Sequence, residues 1–176
     1  YPAFLDDYAY LIQALIHLQE ITGDTDYLDQ AGSLTEWMIE QFSEEETGYF
    51  YFTHRNQQDV IVRKKEVYDG AVPSGNSVMA FNLYYLSVLF DREVWRERAV
   101  RMSALLSQPI NKYPTSFGVW ATMSLGLTYS VPEIVIIGES FEQVRREFLR
   151  TFTPLRIFQS SALENSRFPL LARKPY

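Results

Sequence analysis

The sequence repeats a helix-type pattern of apolar residues at an offset of 68 positions (79 minus 11 for the pair Leu11 and Met79). The other corresponding pairs are Leu15 and Leu83, Leu18 and Leu86, Ile21 and Leu89, Tyr27 and Trp95, Ala31 and Ala99, and Leu34 and Met102. A helical hairpin buries its inner face only against neighbouring copies. The repeat therefore predicts a mainly α array of helical hairpins.

Apolar spacing and capping residues predict five helices in the first 130 residues. They span residues 4–22, 25–42, 77–90, 91–107 and 117–129. Asn76 or Ser77 is expected to cap the third helix, and Thr115 or Ser116 the fifth. The first helix is expected to turn one stripe towards the core, formed by Phe4, Tyr8, Leu11, Leu15, Leu18 and Ile21.

Two parts of the chain have β-type patterns. Residues 48–53 and 59–63 are β-rich and are joined by a polar connection, which predicts a β-hairpin at about 48–63. Near the C-terminus, apolar runs at 132–138 and 155–159 flank an amphipathic helix at 140–151. Strand, helix and strand in this order predict a small βαβ-like unit with parallel strands. We therefore expect a helical array over residues 1–130 and a small α/β unit over 131–176, packed on the same domain.

The stretch from Glu66 to Ser77 lies between the predicted hairpin and an apolar helix. Gly70, Pro73 and Gly75 favour a tight turn, which can gather its polar residues at a helix N-terminus. Such a turn suits anions and hydroxyl-rich ligands. Helix-entry loops of the same kind also use polar residues only to satisfy backbone groups, so both interpretations stay open.

Composition excludes several classes of function. The net charge of -6 argues against a nucleic-acid partner, and no apolar run approaches the roughly 20 residues that span a bilayer. The chain has no cysteine, which excludes thiolate metal sites and is compatible with the cytoplasm, the expected location. No ligand spacing for a metal and no phosphate loop for a nucleotide cofactor is present, so no cofactor is expected. Aromatic residues make up 15%, a content that suits sugar binding as well as large cores.

The chain begins at Tyr1 without an initiator methionine, and we expect it to be a fragment of a longer protein. An incomplete helical array would leave apolar helix faces without neighbours. We expect such faces on the stripes Leu11-Leu15-Leu18 and Leu83-Leu86-Leu89. A large exposed apolar patch is unusual for a soluble monomer, so self-association of the fragment is predicted.

Five motifs occur in an order that resembles that of a known family. They are Phe4-Leu5-Asp6-Asp7-Tyr8-Ala9, Gly48-Tyr49-Phe50-Tyr51-Phe52-Thr53, the whole stretch Glu66–Ser77, Pro132-Glu133-Ile134-Val135-Ile136-Ile137-Gly138 and Pro169-Leu170-Leu171-Ala172. Together they resemble the C-terminal region of thioredoxin-domain-containing proteins related to the spermatogenesis-associated thioredoxin-like protein. The resemblance implies part of an (α/α)6 barrel, similar to six-hairpin glycosidases and to N-acylglucosamine 2-epimerase. The thioredoxin-like domain and the first half of the barrel would lie outside this chain.

The resemblance implies a carbohydrate-active domain that epimerises, isomerises or hydrolyses a sugar or other small polar ligand. Acids near helix starts do the acid and base work in the hydrolase relatives, which favours Asp69, Glu66 and Asp7 as catalytic residues. Asp6, Tyr8, Tyr68 and Asn76 are then expected to contact the substrate. Neither His17 nor His54 matches an epimerase histidine. The alternative is a non-catalytic binding or scaffold domain of a thioredoxin-like protein, since fold does not imply function.

Overall fold

The computed structural model describes residues 3–58 and 60–172, and over these ranges the chain is mainly helical. The elements in chain order are α1 (Leu5–Thr22), α2 (Asp26–Phe42), α3 (Gly75–Phe90), α4 (Glu93–Ala104), α5 (Ser107–Lys112), α6 (Gly118–Tyr129), β1 (Glu133–Ile137), α7 (Phe141–Leu149) and β2 (Ile157–Ser161). No helix among the described residues is both long enough and apolar enough to cross a membrane.

Helices α1 and α2 form one hairpin, and α3 and α4 form a second that packs beside it through α1 and α3. The first helix of each hairpin ends at a residue in the left-handed region, Gly23 at φ 77° and Asp91 at φ 53°. These two residues are 68 positions apart (91 minus 23), so the sequence repeat extends to the turn itself. The two predicted hairpins are confirmed, and their continuation into an α/α barrel stays a prediction.

The buried face of α1 differs from the predicted stripe. Leu11, Leu18 and Ile21 are 47%, 40% and 60% exposed. The buried side chains also have helical spacing, shifted by about one residue along the helix; they are Leu5, Ala9, Ile12, Leu15, Ile16, Gln19 and Glu20. The shift arises because α1 is covered on two sides, by α2 and by α3. The apolar pattern of α1 suits two faces, and the neighbouring helices select between them.

The exposure of the apolar side chains of α1 and α3 can be compared with the predicted apolar surface on these two helices. In α3 the expected residues Leu83, Leu86 and Leu89 are fully buried, so this helix has no unpartnered stripe there. In α1 the outer face does leave Leu11 and Leu18 exposed. Self-association through that face stays a prediction.

The predicted β-hairpin at 48–63 is wrong. Among residues 48–58 and 60–63 the only strand-like feature is a single antiparallel bridge between Ser43 and Phe50; Asp59 lies outside the described residues. The backbone groups of 49–52 bond to three separate parts of the chain, which are the end of α2, the start of α1 and Lys64, whose carbonyl accepts from Phe52 N at 2.8 Å. Tyr51 N donates to Phe42 O at the end of α2 (2.8 Å), and Phe52 O accepts from Leu5 N at the start of α1 (3.0 Å).

The side chain of Asn76 satisfies both backbone hydrogen-bonding groups of Phe50. Its Oδ1 accepts from Phe50 N at 2.7 Å, and its Nδ2 donates to Phe50 O at 2.9 Å. Nδ2 also donates to Glu66 O at 2.8 Å. A buried backbone group needs a partner, and a fully buried amide at the start of α3 supplies three bonds. The β-rich segment is therefore held as irregular backbone.

The predicted βαβ-like unit is confirmed. Strands β1 and β2 pair in parallel, with Glu133 opposite Ile157 and Ile137 opposite Ser161. β2 is the inner strand, and the ring of Phe158 stacks on Phe148 of α7 with centroids 5.0 Å apart. The unit packs on the first hairpin through β2 and α7 against α1. The boundary at residue 131 stays a prediction.

Three smaller expectations differ from the structure. The helix expected at 91–107 ends at Ala104, and a short helix α5 follows, in spite of Pro109. The N-cap of α3 is Ser74, whose hydroxyl accepts from Ser77 N at 3.2 Å, and not Asn76 or Ser77. Helix α6 has Phe117 at its N-cap, so neither Thr115 nor Ser116 caps it.

We predict that Asn76→Ala destabilises the protein by about 3 kcal/mol, because it removes the partner of the buried N–H and C=O of Phe50 and of the part-buried C=O of Glu66. Urea unfolding measures the change. Asn56→Ala is the matched control: Asn56 is exposed in the same irregular segment, and its side chain makes no hydrogen bond among the described residues. The control should change the free energy of unfolding by less than about 0.5 kcal/mol. Equal effects of the two variants would contradict the role of Asn76.

Candidate functional site

The N-terminal ends of α1 and α3 lie side by side. Asp6 in the first turn of α1 accepts a hydrogen bond from Gly75 N, the first residue of α3, with Oδ1 at 3.0 Å. One turn further along α1, the hydroxyl of Tyr10 donates to Pro73 O at 2.9 Å. A side chain at position 75 would meet Asp6 and Leu5 within 3 Å, so glycine is required for this approach. The 68-residue offset pairs Tyr8 with Asn76 (76 minus 8) and so predicts that Asp6, Asp7 or Tyr8 lies close to the Glu66–Asn76 turn; the bond between Asp6 and Gly75 confirms this.

Asp69 lies in the buried half of this region and connects two helices. One carboxylate oxygen accepts from Ser74 N at 3.0 Å and from the Ser77 hydroxyl at 2.6 Å, at the start of α3. The other oxygen accepts from Val119 N at 2.9 Å, in the first turn of α6. A carboxylate placed at two helix N-termini satisfies backbone donors that have no partner within their own helices. Asp69 therefore holds the start of α3 and the start of α6 together.

Tyr8 and Asn76 share the buried half with Asp69. The Tyr8 ring packs against Trp37 and Phe42, with centroids 4.8 and 5.8 Å away. The three hydrogen bonds of the Asn76 amide all go to the backbone of the chain. Substrate contacts of these two residues stay predictions, and the observed contacts of both lie within the protein.

Asp7, Glu66 and Tyr68 form the exposed half. Asp7 accepts from Phe4 N at 2.8 Å and so begins α1. Glu66 is exposed and accepts from Tyr68 N at 3.0 Å. Tyr68 is 52% exposed, and its hydroxyl donates to the Ser116 hydroxyl at 2.8 Å. These side chains can meet a ligand without any rearrangement of the core.

Asp6 lies at the border between the two halves. Burial raises the pKa of its carboxyl; the bond from Gly75 N opposes this rise, and the negative charges of Asp7 and Glu66 add to it. Burial also raises the pKa of Tyr10, with Asp6 and Asp69 contributing. We call this region, formed by Asp6, Asp7, Glu66, Tyr68 and Asp69 at the N-terminal ends of α1 and α3, the acidic end. Its negative charges lie close enough to disfavour one another.

A second polar cluster was not predicted from the sequence. Buried Glu20 of α1 accepts from the Tyr85 hydroxyl of α3 at 2.8 Å and from Arg156 Nη2 at 3.1 Å. These three residues line a cavity of about 300 Å³ between α1, α3, α6 and the segment before β2. A signal was present: once the α1 stripe is placed on Ala9, Ile12 and Ile16, Glu20 falls on the buried side. A carboxylate at a core position requires a partner.

Comparison with known proteins finds relatives of low identity. An uncharacterized protein of Caenorhabditis elegans is 30% identical over 172 residues, which cover 93% of this chain and 23% of that protein. Spermatogenesis-associated protein 20 of Rattus norvegicus is 28% identical over 137 residues, and that of Homo sapiens 27%; each match covers 77% of this chain and 17% of the relative. The chain is therefore similar to one segment of spermatogenesis-associated protein 20. No family model matches the chain.

The matched segment is short relative to these proteins, since the chain spans less than a quarter of the length of the curated relatives it matches. The match agrees with the predicted relationship to spermatogenesis-associated proteins. The relatives' printed names state no reaction or ligand. The chemistry of the two polar regions must therefore be argued from the chain itself.

We predict that Asp69→Asn destabilises the protein by about 2–4 kcal/mol, because the new amide N–H group faces a backbone or hydroxyl donor. Urea unfolding measures this change, and amide hydrogen exchange should be faster at Ser74 and Val119, whose N–H groups donate to Asp69. Glu66→Gln is the control from the same turn, because the exposed amide can still accept from Tyr68 N. It should leave stability within about 0.5 kcal/mol of the parent. A stable Asp69→Asn variant would refute the helix connection.

We predict that Asp6→Asn changes how stability depends on pH. The pKa of Asp6 is raised in the folded protein, so its contribution to stability is present below the ordinary value of 3.8 and is lost as pH rises through the raised value. The asparagine can still accept from Gly75 N. Relative to the parent, the variant should therefore gain stability as pH rises from 3.8 upward. Unfolding at a series of pH values and carboxyl NMR titration of Asp6 test this, and a difference that falls with pH would contradict it.

Proposed function

We propose that the chain is part of a carbohydrate-active helical domain and that its acidic end binds the sugar. The observation that carries this proposal is the Asp6 carboxyl, half-buried between two helix N-termini with its pKa raised beside Asp7 and Glu66. The resemblance to α/α barrels with sugar-active members supports the same assignment. Two hairpins with parallel first helices are the portion of such a barrel that this chain would contribute.

Within this proposal Asp6 is the general acid. A carboxyl with a raised pKa stays protonated to higher pH and can deliver its proton to a sugar oxygen. Exposed Glu66 is the partner carboxylate, and Asp7 adds negative charge on the same side. The half-exposed ring of Tyr68 offers a face to the sugar. Asp69 and Asn76, which the sequence placed among the reacting and binding groups, hold the turn in position.

A second candidate function is a non-catalytic binding or scaffold domain of a longer thioredoxin-like protein. The specific observation in its favour is the pairing of Asp69 and Asn76. Both carboxylate oxygens of Asp69 and the whole amide of Asn76 bond to the chain's own backbone and serines. A turn whose buried polar groups are fully used for folding needs no ligand to explain them.

Titration with monosaccharides tests the first proposal. Glucose, mannose, galactose and N-acetylglucosamine are added to ¹⁵N-labelled protein, and amide shifts are followed by NMR. We expect one of these sugars to shift the signals of Tyr68 and Gly75. Asp6→Asn and Glu66→Gln should each weaken that binding about tenfold or more, the cost of a lost charged hydrogen bond.

Asp91→Asn is the matched control, because Asp91 is an exposed aspartate at the opposite end of α3 and asparagine also tolerates the left-handed region. It should bind sugar as the parent does. Absence of shifts with all four sugars, or shifts that all variants retain, would contradict the proposal and favour the scaffold.

A further inference from the structure

We propose that the cavity between α1, α3 and α6 is a second binding site, for an uncharged ring-containing small molecule that carries an N–H or O–H donor. Its apolar wall includes Ile16, Phe81, Val119, Val131 and Leu155. Polar groups are few and lie among these side chains. A mainly apolar concavity with a small number of placed polar groups is the usual form of a small-molecule site.

The ionic groups of the cavity neutralise one another. Glu20 and Arg156 form an ion pair with atoms 3.1 Å apart, and their side chains are 6% and 20% exposed. The second Glu20 oxygen is bonded to the Tyr85 hydroxyl, and Arg156 Nη1 donates to Thr153 O at 2.6 Å. His17 also lines the cavity, and its Nδ1 lies 3.3 Å from a Glu20 oxygen, so Arg156 and His17 both face Glu20. A ligand carboxylate would meet the negative charge of Glu20 and compete with it for these partners, which is costly at a buried site. The site therefore selects an uncharged ligand.

Asn82 supplies the polar contact. Its side chain is buried and lines the cavity, and its Nδ2 donates to Ala9 O at 2.8 Å. The second Nδ2 hydrogen faces the sulfur of Met79. Its Oδ1 makes no hydrogen bond among residues 3–58 and 60–172, so the group left for a ligand is an acceptor. A ligand must bring a donor to satisfy it.

The volume limits the size of the ligand. A water molecule occupies about 30 Å³ in the liquid, so a cavity of about 300 Å³ holds roughly ten non-hydrogen atoms. The rings of Phe81, Tyr84 and Tyr85 lie in the wall and favour a flat, ring-shaped body. Indole has this size and shape, and its N–H is a donor.

The Glu20 end of the cavity is distant from the acidic end, whereas Val119 borders both, since it lines the cavity and its N–H donates to Asp69. Glu20 lies fourteen residues after Asp6 on α1 (20 minus 6), which corresponds to about 21 Å along a helix. The site therefore goes beyond the proposed sugar function, and each can fail without the other. Glucose binding at the acidic end would shift Tyr68 and Gly75, whereas indole should shift amides of residues that line the cavity.

The first test uses four probes on the full chain by NMR titration: indole, benzofuran, indole-3-acetate and glucose. Benzofuran keeps the shape of indole and replaces the N–H donor by an oxygen. Indole should bind, and benzofuran should bind about tenfold more weakly or worse. Indole-3-acetate, which adds a carboxylate, should shift the cavity residues less than indole at equal concentration. Glucose should leave the cavity residues unshifted.

The second test fills the cavity. Thr122→Trp places a large ring at the cavity wall and should reduce indole binding tenfold or more. Thr128→Trp is the matched control, because both threonines are exposed on α6 and both hydroxyls donate to the carbonyl four residues earlier. Thr128 does not line the cavity, and its variant should bind indole as the parent does. Both variants should unfold at similar urea concentrations, which shows that a loss of binding is local.

Three results would overturn the inference. The first is an indole titration that shifts no cavity residue. The second is binding of benzofuran or indole-3-acetate that is as tight as that of indole. The third is indole binding by Thr122→Trp equal to that by Thr128→Trp. Glucose shifts at the cavity would assign the site to a polyol and would overturn the predicted ligand class.

Discussion

The carboxylate of Asp69 is the interaction on which the acidic end of the molecule depends. It accepts from backbone donors at the starts of both α3 and α6, so two helices from different parts of the chain are set relative to one group. The Glu66–Ser77 turn has no regular backbone pairing of its own among these residues, and side chains provide what a sheet would otherwise provide. Asn76 does this for the β-rich segment, since its amide takes both backbone groups of Phe50. With the turn fixed in this way, Gly75 can approach Asp6.

The same arrangement separates the acid that is fully hydrogen-bonded within the protein from the acids that can meet a ligand. The Asp69 carboxylate already accepts from four backbone or hydroxyl donors and gains little from a ligand, whereas Glu66 and Asp7 retain contact with solvent. Asp6 has one oxygen on Gly75 N and lies where burial and neighbouring charges both disfavour its ionised form. The groups available to a ligand are therefore the exposed ones, Glu66 and Asp7, together with half-buried Asp6. Asp69 and Asn76 hold these groups in position.

The C-terminal halves of α1 and α3 contain a buried charged residue, Glu20. A charged residue on the buried side of a helix must be paired, and Glu20 finds Tyr85 on the neighbouring helix and Arg156 before β2. The C-terminal βαβ-like unit thus supplies a cation to the helical array. Burial raises the pKa of Tyr85 well above its ordinary value, and the adjacent Glu20 adds to this, so the hydroxyl stays a donor.

The sequence by itself determined the longer helices, the two hairpins and the parallel βαβ-like order, because apolar periodicity and glycine or polar turns are local signals; it missed the short helix α5. It also placed Asp6 beside the Glu66–Asn76 turn, since the 68-residue offset puts both at the start of equivalent helices. Only the tertiary structure decided which face of α1 is buried, because packing of α2 and α3 against α1 buries Ile12 and leaves Leu11 exposed. It also decided against the β-hairpin, because Asn76 satisfies Phe50 from outside the segment. The pairing of Glu20 with Arg156 spans 136 residues, and no local pattern encodes a contact at that distance along the chain.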